Sequence, residues 1–462
     1  MTARRLRLVP LAVLAAAVLL SPASPAGALL PEDASSNVHL VGGAPEMVGA
    51  ISLAFIEDTM FVSTVHGLYS YDVSEPSVPV PLGALPMYIW ENEDMDVDVE
   101  RELILISRDP RGFTSPAVSG FPYGALHVID VSDPTVMRQL SFTLLPAGHT
   151  TTCVSGCDFV WTAGPAPAVT DPADWGGRPV FATDLRDPAN PVPCPEPIDL
   201  HRNDGATDHA HDVQVDARGI AWVSGAGGVR GYRTEGRHRD PLTRKVRAAT
   251  GCDPIPYAGG GTPDTATPSR FMHNAWRNVS MRASKTAPRG TVLMATEESI
   301  TSDCETSGRF ATYDLRGSYG GQGWRGIERT RFRMRVLDTW TPEAQPGSSG
   351  CASAHYFDDR GDGLLAYAFY EQGVRFLDAS NPRNIRQVGW WRADDSQTWA
   401  AYWHDGLVFV ADVARGVEIL QIDARPGSRA VRAPLRRTND VAGAADAATG
   451  YTCRFAPGAL TP

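Results

Sequence analysis

The stretch "GALHVIDVSDPTVMRQLS" (residues 124–141) contains the pattern that decides the fold. A β-rich run closes on Asp130, an Asp/Ser/Pro turn follows, and a third segment alternates polar and apolar residues like a half-buried strand. The same order recurs at residues 59–83 and 363–389, where a turn ending in glycine also separates two β-rich runs. The chain is therefore a series of repeated β units.

Seven such units follow one another. Further copies lie at residues 180–192, 219–241, 308–317 and 406–423. One more predicted strand precedes each unit, at residues 50–58, 93–100, 150–156, 211–219, 273–281, 354–361 and 399–406. Four short antiparallel strands in units of roughly 45–75 residues, with no long helical period, are typical of a β-propeller. We predict an all-β fold, a seven-bladed β-propeller with four-stranded antiparallel blades.

The ends of the repeat predict how the ring closes. The last unit, ending at Asp423, lacks a fourth strand, while "NVHLVGG" (residues 37–43) precedes the first unit as a strand without a partner. We predict that this N-terminal strand completes the last blade. Residues 29–425 would then form one propeller domain, and the Arg-, Ala- and Gly-rich residues 426–462 a loosely ordered tail.

The N-terminus predicts export. Residues 1–28 have a basic start, an apolar run and "AGA" at their end, the pattern of a cleavable secretory signal peptide. Its removal changes the net charge from −11 to about −14, which argues against nucleic-acid binding. The rest of the chain has no apolar run that could span a bilayer. We expect a secreted, extracellular monomer.

The repeat also carries a family resemblance. "LHVIDVSDP" (residues 126–134) and "RFLDASNPRNIRQVG" (residues 375–389) recur in register with the predicted strands. The chain resembles the LVIVD-repeat family of secreted β-propeller proteins over roughly residues 37–423. The resemblance implies the propeller fold. It implies no particular reaction, because the family is defined by its repeat.

Seven cysteines lie in a chain that we expect to meet an oxidising compartment, so disulfides are the default interpretation. Their scattered spacing does not suit a zinc ribbon. We predict three bridges, with Cys453 left unpaired in the tail: Cys153–Cys157, Cys194–Cys252 and Cys304–Cys351. The first would close a short turn, and the third would pin the loop that follows Glu298.

Aspartates close the third strand of most units: Asp72, Asp130, Asp184, Asp314 and Asp378. A ring of functional carboxylates is one interpretation. The favoured one is a turn in which the aspartate side chain accepts hydrogen bonds from free backbone N–H groups before a proline that cannot donate.

Histidines mark the starts of four consecutive innermost strands: His149, His211, His273 and His355. In a propeller these strands all begin on the same face, so residues far apart in sequence converge there. An ungapped alignment of "EDMDVD", "HDVQVD" and "HNAWRN" superposes Glu93, His211 and His273, whereas His355 fits only after a shift. His209 is a loop or supporting residue in this interpretation.

Carboxylates join the histidines on that face. The second strand of the fifth unit runs back to it and ends in Glu297 and Glu298, which with Glu93 are the catalytic candidates. Imidazoles plus a carboxylate suit a divalent first-row metal ion as cofactor, with an open position for water activation or oxygen chemistry. The same groups could act as general acid or base without metal, or the histidines could simply bond neighbouring backbone.

Weaker ligand-binding candidates are Arg270, Arg277 and Glu371, for which packing between blades is the competing interpretation. G-x-S-x-G and H-E-x-x-H signatures are absent from the sequence. The functional hypotheses are a metal-dependent hydrolase or oxidoreductase, a non-catalytic propeller that binds a small molecule, glycan or extracellular protein, and a structural envelope protein.

Overall fold

The computed structural model describes residues 32–109, 124–164, 179–198, 210–225, 228–241, 243–261, 270–299, 309–316, 334–341 and 353–431. All regular elements in these residues are β-strands. None of the described segments forms a helix that could cross a membrane.

The strands form seven four-stranded antiparallel sheets, which confirms the predicted seven-bladed β-propeller. Two strands, β1 (Glu32–Ala34) and β2 (Val38–Ala44), precede the first blade. Blade 1 contains β3 (Ala50–Ile56), β4 (Thr59–Thr64), β5 (Gly67–Asp72) and β6 (Val80–Pro86). Blade 2 contains β7 (Asp96–Asp98), β8 (Leu103–Arg108), β9 (Gly124–Asp130) and β10 (Arg138–Leu145). Blade 3 contains β11 (Thr150–Val154), β12 (Phe159–Ala163), β13 (Phe181–Asp184) and β14 (Val192–Pro193).

The remaining blades repeat this order. Blade 4 contains β15 (Ala210–Val215), β16 (Ile220–Gly225), β17 (Arg230–Arg233) and β20 (Ile255–Gly261), with an inserted hairpin of β18 (Arg237–Arg239) and β19 (Val246–Ala248). Blade 5 contains β21 (Arg270–Asn278), β22 (Val292–Ser299), β23 (Phe310–Asp314) and β24 (Arg335–Trp340). Blade 6 contains β25 (Phe357–Asp359), β26 (Leu364–Ala368), β27 (Val374–Asp378) and β28 (Arg386–Ala393). Blade 7 contains β29 (Thr398–His404), β30 (Leu407–Asp412) and β31 (Gly416–Ile422).

Ring closure occurs as the sequence predicts. Strand β2 pairs antiparallel with β31, from Val38 opposite Ile422 to Ala44 opposite Val417, so the N-terminal strand supplies the fourth strand of blade 7. The short β1 adds a fifth strand to blade 6, which the repeat pattern did not predict. The described start of the tail is also attached to blade 6, because the Val431 N–H donates to the Gln387 carbonyl.

The hydrophobic core is divided among the contacts between blades. Each blade packs apolar side chains against both neighbours, as Phe310 of blade 5 does against Phe357 and Tyr367 of blade 6. Val38 and Ile422 join the cluster between blades 6 and 7. The fold thus has no single core, and its stability depends on keeping every blade between two others.

The repeated aspartates form turns as predicted. In all five blades an aspartate Oδ1 accepts the backbone N–H two residues later, at 2.9 to 3.1 Å. These carboxylates lie at strand ends away from the ring axis and serve the local turn.

Two of the three predicted disulfides are confirmed, Cys153–Cys157 and Cys194–Cys252. Cys304, Cys351 and Cys453 lie outside the described residues, as do residues 1–28, so the third bridge and the signal peptide stay predictions.

The closure predicts unequal effects for two changes within β2. Val38 is 4% exposed and packs between blades 6 and 7, whereas Leu40 is 41% exposed. We expect Val38→Asp to lower the free energy of unfolding by roughly 3 kcal/mol or more, because it buries an unpaired carboxylate at the closing strand. Leu40→Asp is the matched control and should cost about 1 kcal/mol or less. Chemical denaturation measures both, and equal losses would contradict a closing role for β2.

Candidate metal centre

The four predicted histidines meet at one point on the ring axis. We call the face where the innermost strands begin the top face. There the Nε2 atoms of the four imidazoles surround Oε2 of Glu93, at 3.1 Å for His149, 3.4 Å for His211, 3.2 Å for His273 and 3.4 Å for His355. All five side chains are buried. Residues from five consecutive blades thus share one site, which we call the histidine cluster.

β-bulges aim two of these side chains at the axis. In β15 the pairing with β16 skips His211, because Ala210 lies opposite Gly225 and Asp212 lies opposite Ser224. Strand β21 has an equivalent irregularity that includes His273. A bulge inserts one extra residue and redirects its side chain. The same device occurs in blades 1 and 7, where apolar residues stand at the corresponding position, Ile51 and Trp399.

His355 belongs to the same ring although its sequence register required a shift. It lies two residues before β25, whereas His211 and His273 lie within their strands. Its ring centroid is 4.0 Å from that of His273. The structure therefore brings together all four predicted histidines.

Hydrogen bonds on the outer side of three rings fix their tautomers. The Nδ1–H of His211 donates to the carbonyl of His273 at 3.2 Å, and that of His355 donates to the carbonyl of Trp399 at 2.5 Å. The Nδ1–H of His149 faces Asp109 Oδ2 at 2.9 Å and the Glu91 carbonyl at 3.1 Å. Because carbonyls and carboxylates only accept, Nδ1 carries the proton in each ring and Nε2 of the neutral ring carries a lone pair.

The lone pairs point at one another and at a carboxylate. The Nε2 atoms of His149 and His211 are 3.2 Å apart, and both face Glu93. Atoms that bind one metal ion at about 2.1 Å lie about 3.0–3.4 Å apart when they occupy adjacent coordination positions. Two overlapping sets, Glu93 with His149 and His211 and Glu93 with His273 and His355, therefore have a spacing that could hold a cation.

Burial and mutual charge set the ionisation of the cluster. Burial lowers the pKa of His211 to about 4 and holds the pKa of His273 well below its usual range. Burial also opposes charge on His355, but the carboxylates of Glu93 and Glu298 raise its pKa. Burial alone would raise the pKa of Glu93, yet His149 and His355 hold it well below normal. Burial thus favours the neutral forms of His211 and His273, whereas Glu93 favours its ionised form and His355 its protonated form.

Of the two predicted glutamates of β22, one reaches the histidine cluster. Glu298 Oε2 is 3.7 Å from Nε2 of His273, and the Tyr370 hydroxyl donates to Glu298 Oε1. Burial raises the pKa of Glu298 to about 7. Glu297 forms an ion pair with Arg309 instead. The reason is that successive residues of a strand point to opposite sides, so only one of the pair can face the axis.

Of the weaker candidates, Arg277 has a role between two blades. Arg277 is four residues farther along β21 than His273, where its Nε lies 2.8 Å from Asp216 Oδ2 and its guanidinium covers the Trp222 ring. This is the packing role between blades that competed with ligand binding. Glu371 lies in the turn between β26 and β27. His209 and the side chain of Arg270 lie outside the described part of the chain.

Sequence reasoning missed Asp109. It directly follows β8, the second strand of blade 2, which runs back to the top face. The same rule identified Glu298 at the end of the second strand of blade 5. Applied to blade 2, it would have found the carboxylate that holds His149.

Gly164 makes room for His149. It follows β12 with a φ of 121°, and a Cβ at this position would lie 2.2 Å from the Cβ of His149. Only glycine therefore permits the close approach of the second strand of blade 3 to this imidazole.

The chain was compared with known protein families, proteins and structures. No protein-family model and no curated protein matches the sequence, so the LVIVD-repeat resemblance stays a prediction from the repeat. Among solved structures, the periplasmic gluconolactonase PpgL of Pseudomonas aeruginosa is similar with a TM-score of 0.47 and 10% identity, over 75% of this chain and 86% of that one. The WD40 repeats of RRP9 are similar with a TM-score of 0.49 and 10% identity, over 85% of this chain and 99% of that one.

The contact between Gly164 and His149 predicts an unequal response of two glycines to alanine. Gly164→Ala should lower the free energy of unfolding by roughly 1–3 kcal/mol more than Gly156→Ala, because the new Cβ must displace His149. Gly156 is the matched control, since it also has a positive φ, of 64°, with no atom within 4 Å of an added Cβ. Denaturant titrations measure the difference, and equal losses would contradict the close contact.

Proposed function

We propose that this chain is a secreted β-propeller metalloprotein whose histidine cluster binds one divalent first-row metal ion. His149, His211, His273 and His355 would each supply Nε2, and Glu93 a carboxylate oxygen. The observation that carries the proposal is the convergence of these nitrogens on one oxygen, with three Nδ1–H groups already committed to outer acceptors. Such outer hydrogen bonds are what orient histidines for metal binding.

The donor set favours a metal that takes five or six ligands. Catalytic zinc sites have three protein ligands and keep a fourth position open, so four imidazoles would fill a tetrahedral zinc ion. A six-coordinate ion such as iron or manganese would keep one position for a small molecule beside the same five residues. We therefore favour an oxidoreductase over a hydrolase. The bound ion would supply Lewis acidity or one-electron chemistry.

The protein residues would hold the ligands and shield the site. Asp109 fixes the tautomer of His149, and the carbonyl of Trp399 fixes that of His355. Ile51, Trp399 and Tyr370 form a buried apolar cluster with Val65 and Val413 beside the site. Tyr370 also orients Glu298, whose second oxygen faces His273 and could hold or accept a proton there. Glu298 is the catalytic candidate that we retain.

The disulfides and the type of metal ligands both agree with a secreted metalloprotein. The two disulfides of the described chain are stable in an oxidising compartment, which agrees with the predicted signal peptide. A metal bound by nitrogen and oxygen donors alone does not require reduced thiols.

Metal analysis tests the proposal directly. Protein purified without a polyhistidine tag should carry about one first-row metal ion per chain. His211→Ala and His273→Ala should each lose at least nine-tenths of it, because each removes a ligand. His127→Ala is the matched control, since His127 is buried in blade 2 outside the cluster. Elemental analysis by mass spectrometry gives the stoichiometry. Metal-free wild-type protein, or full occupancy in both ligand variants, would refute the proposal.

The hydrogen bond between Asp109 and His149 predicts that a change at Asp109 weakens metal binding less than the loss of a histidine ligand does. Asp109→Asn keeps the shape of the side chain but replaces an acceptor with a group that can donate to Nδ1 of His149. The substitution therefore stabilises the tautomer with its proton on Nε2, which cannot bind a metal ion through that atom. We expect the metal affinity to fall about 10- to 100-fold with the fold intact. Competition with a chelator measures the affinity, and Asp130→Asn, in an exposed turn of blade 2, is the control. An unchanged affinity would show that Asp109 does not orient the ligand.

A further inference from the structure

A second level of polar side chains lies one residue farther along the innermost strands. Asp94, Asp212, Asn274 and Tyr356 directly follow Glu93, His211, His273 and His355. Asp212, Asn274 and Tyr356 are 0%, 2% and 3% exposed, and Asp94 keeps some accessible surface. We call these four residues the oxygen ring, since each carries a side-chain oxygen atom and directly follows a residue of the histidine cluster.

Three of these residues have an oxygen atom without a hydrogen-bond partner: Asp212 Oδ1, Asn274 Oδ1 and the Tyr356 hydroxyl. Buried polar atoms in native proteins are nearly always paired, so each such atom requires an explanation. One unpaired atom could reflect local packing. Three on consecutive blades, each directly after a histidine of the cluster, favour one shared partner, and a cation would satisfy all three oxygen atoms.

Two carboxylates of the oxygen ring are held close together. The Gln214 amide Nε2 lies 2.8 Å from Asp94 Oδ2 and 3.2 Å from Asp212 Oδ2. No lysine or arginine among the described residues forms an ion pair with either aspartate; the arginines of the same blades pair elsewhere, Arg101 with Asp98 and Arg277 with Asp216. Among the described residues, the two aspartates therefore have no basic side chain as a partner.

Tyr356 connects the oxygen ring to the histidine cluster. Burial raises the pKa of Tyr356, and the charges of Asp212 and Asp94 raise it further. The ring of Tyr356 packs edge-on against that of His273, 4.5 Å between centroids. The oxygen ring thus lies next to the histidine cluster but uses different atoms.

We propose that Asp94, Asp212, Asn274 and Tyr356 form a second cation site, for a hard divalent ion of the calcium class, below the histidine cluster. Carboxylate, amide and hydroxyl oxygens are the donors that Ca²⁺ prefers, whereas the imidazoles above suit a transition metal. Gln214 could add its amide oxygen by rotating its side-chain amide. The ion would neutralise the buried aspartates and connect blades 2, 4, 5 and 6 across the axis.

Calcium binding to the full chain tests the inference. After chelator treatment, Ca²⁺ should raise the melting temperature and bind at about one ion per chain in calorimetry, and Tb³⁺ should show luminescence sensitised by Tyr356 or nearby tryptophans. Asp212→Asn and Asp94→Asn should weaken Ca²⁺ binding at least tenfold. Asp130→Asn, which changes a turn aspartate of blade 2, should leave it unchanged.

Two more variants keep the test decisive. Asn274→Asp adds a carboxylate to the oxygen ring and should tighten Ca²⁺ binding, a gain that misfolding cannot imitate. His211→Ala should abolish transition-metal binding but retain Ca²⁺, so the two sites can fail separately. The inference is overturned if Ca²⁺ neither binds nor stabilises the wild-type protein, or if Asn274→Asp binds Ca²⁺ no tighter than the wild type.

Discussion

The antiparallel pairing of β2 with β31 is the interaction on which the rest of the structure depends. Each blade is a small twisted sheet that cannot bury both faces alone, so it is stable only between two neighbours. Closing the ring gives blade 7 its missing strand and brings blade 7 against blade 1, so that each of these two blades has a second neighbour. It also fixes the starts of all innermost strands around one axis, and without that constraint five blades could not bring side chains to one oxygen atom of Glu93.

The convergence of the innermost strands also brings several carboxylates into a buried region. Glu93 and Glu298 both face His273, and Asp94 and Asp212 share the amide of Gln214. Outer hydrogen bonds hold three of the histidines in the tautomer that presents a lone pair toward the axis. A cation on the axis would offset these buried carboxylates, which is the physical basis for the two proposed sites.

Much of this architecture could be predicted from local sequence patterns. The seven units, the closing strand at residues 37–43 and the turn aspartates each depend on residues within about ten positions of one another. The convergence of His149, His211 and His273 also followed from the rule that innermost strands start on one face. The alignment could not place His355 because the turn residue Asp359 follows it by four positions, whereas Asp216 and Asn278 follow His211 and His273 by five. Glu297 and Glu298 differ only in the side of the strand they face, which Arg309 and Tyr370 decide from other strands. Asp109 and the oxygen ring became visible only when separate blades were placed side by side.

At the bulges near the start of the innermost strands, the side chain that faces the axis does not take part in the strand pairing that holds the blade together. Blades 1, 4, 5 and 7 share this backbone irregularity, yet it presents Ile51 in one blade, His211 and His273 in two others, and Trp399 in the last. The extra residue lies outside the regular pairing of the strand, so its side chain can change while the ladder around it stays the same. A single substitution at a bulge can therefore add, exchange or remove one ligand of the site without changing the blade. The bulges of blades 1 and 7 now carry apolar residues, so they are the positions where a new ligand could be added.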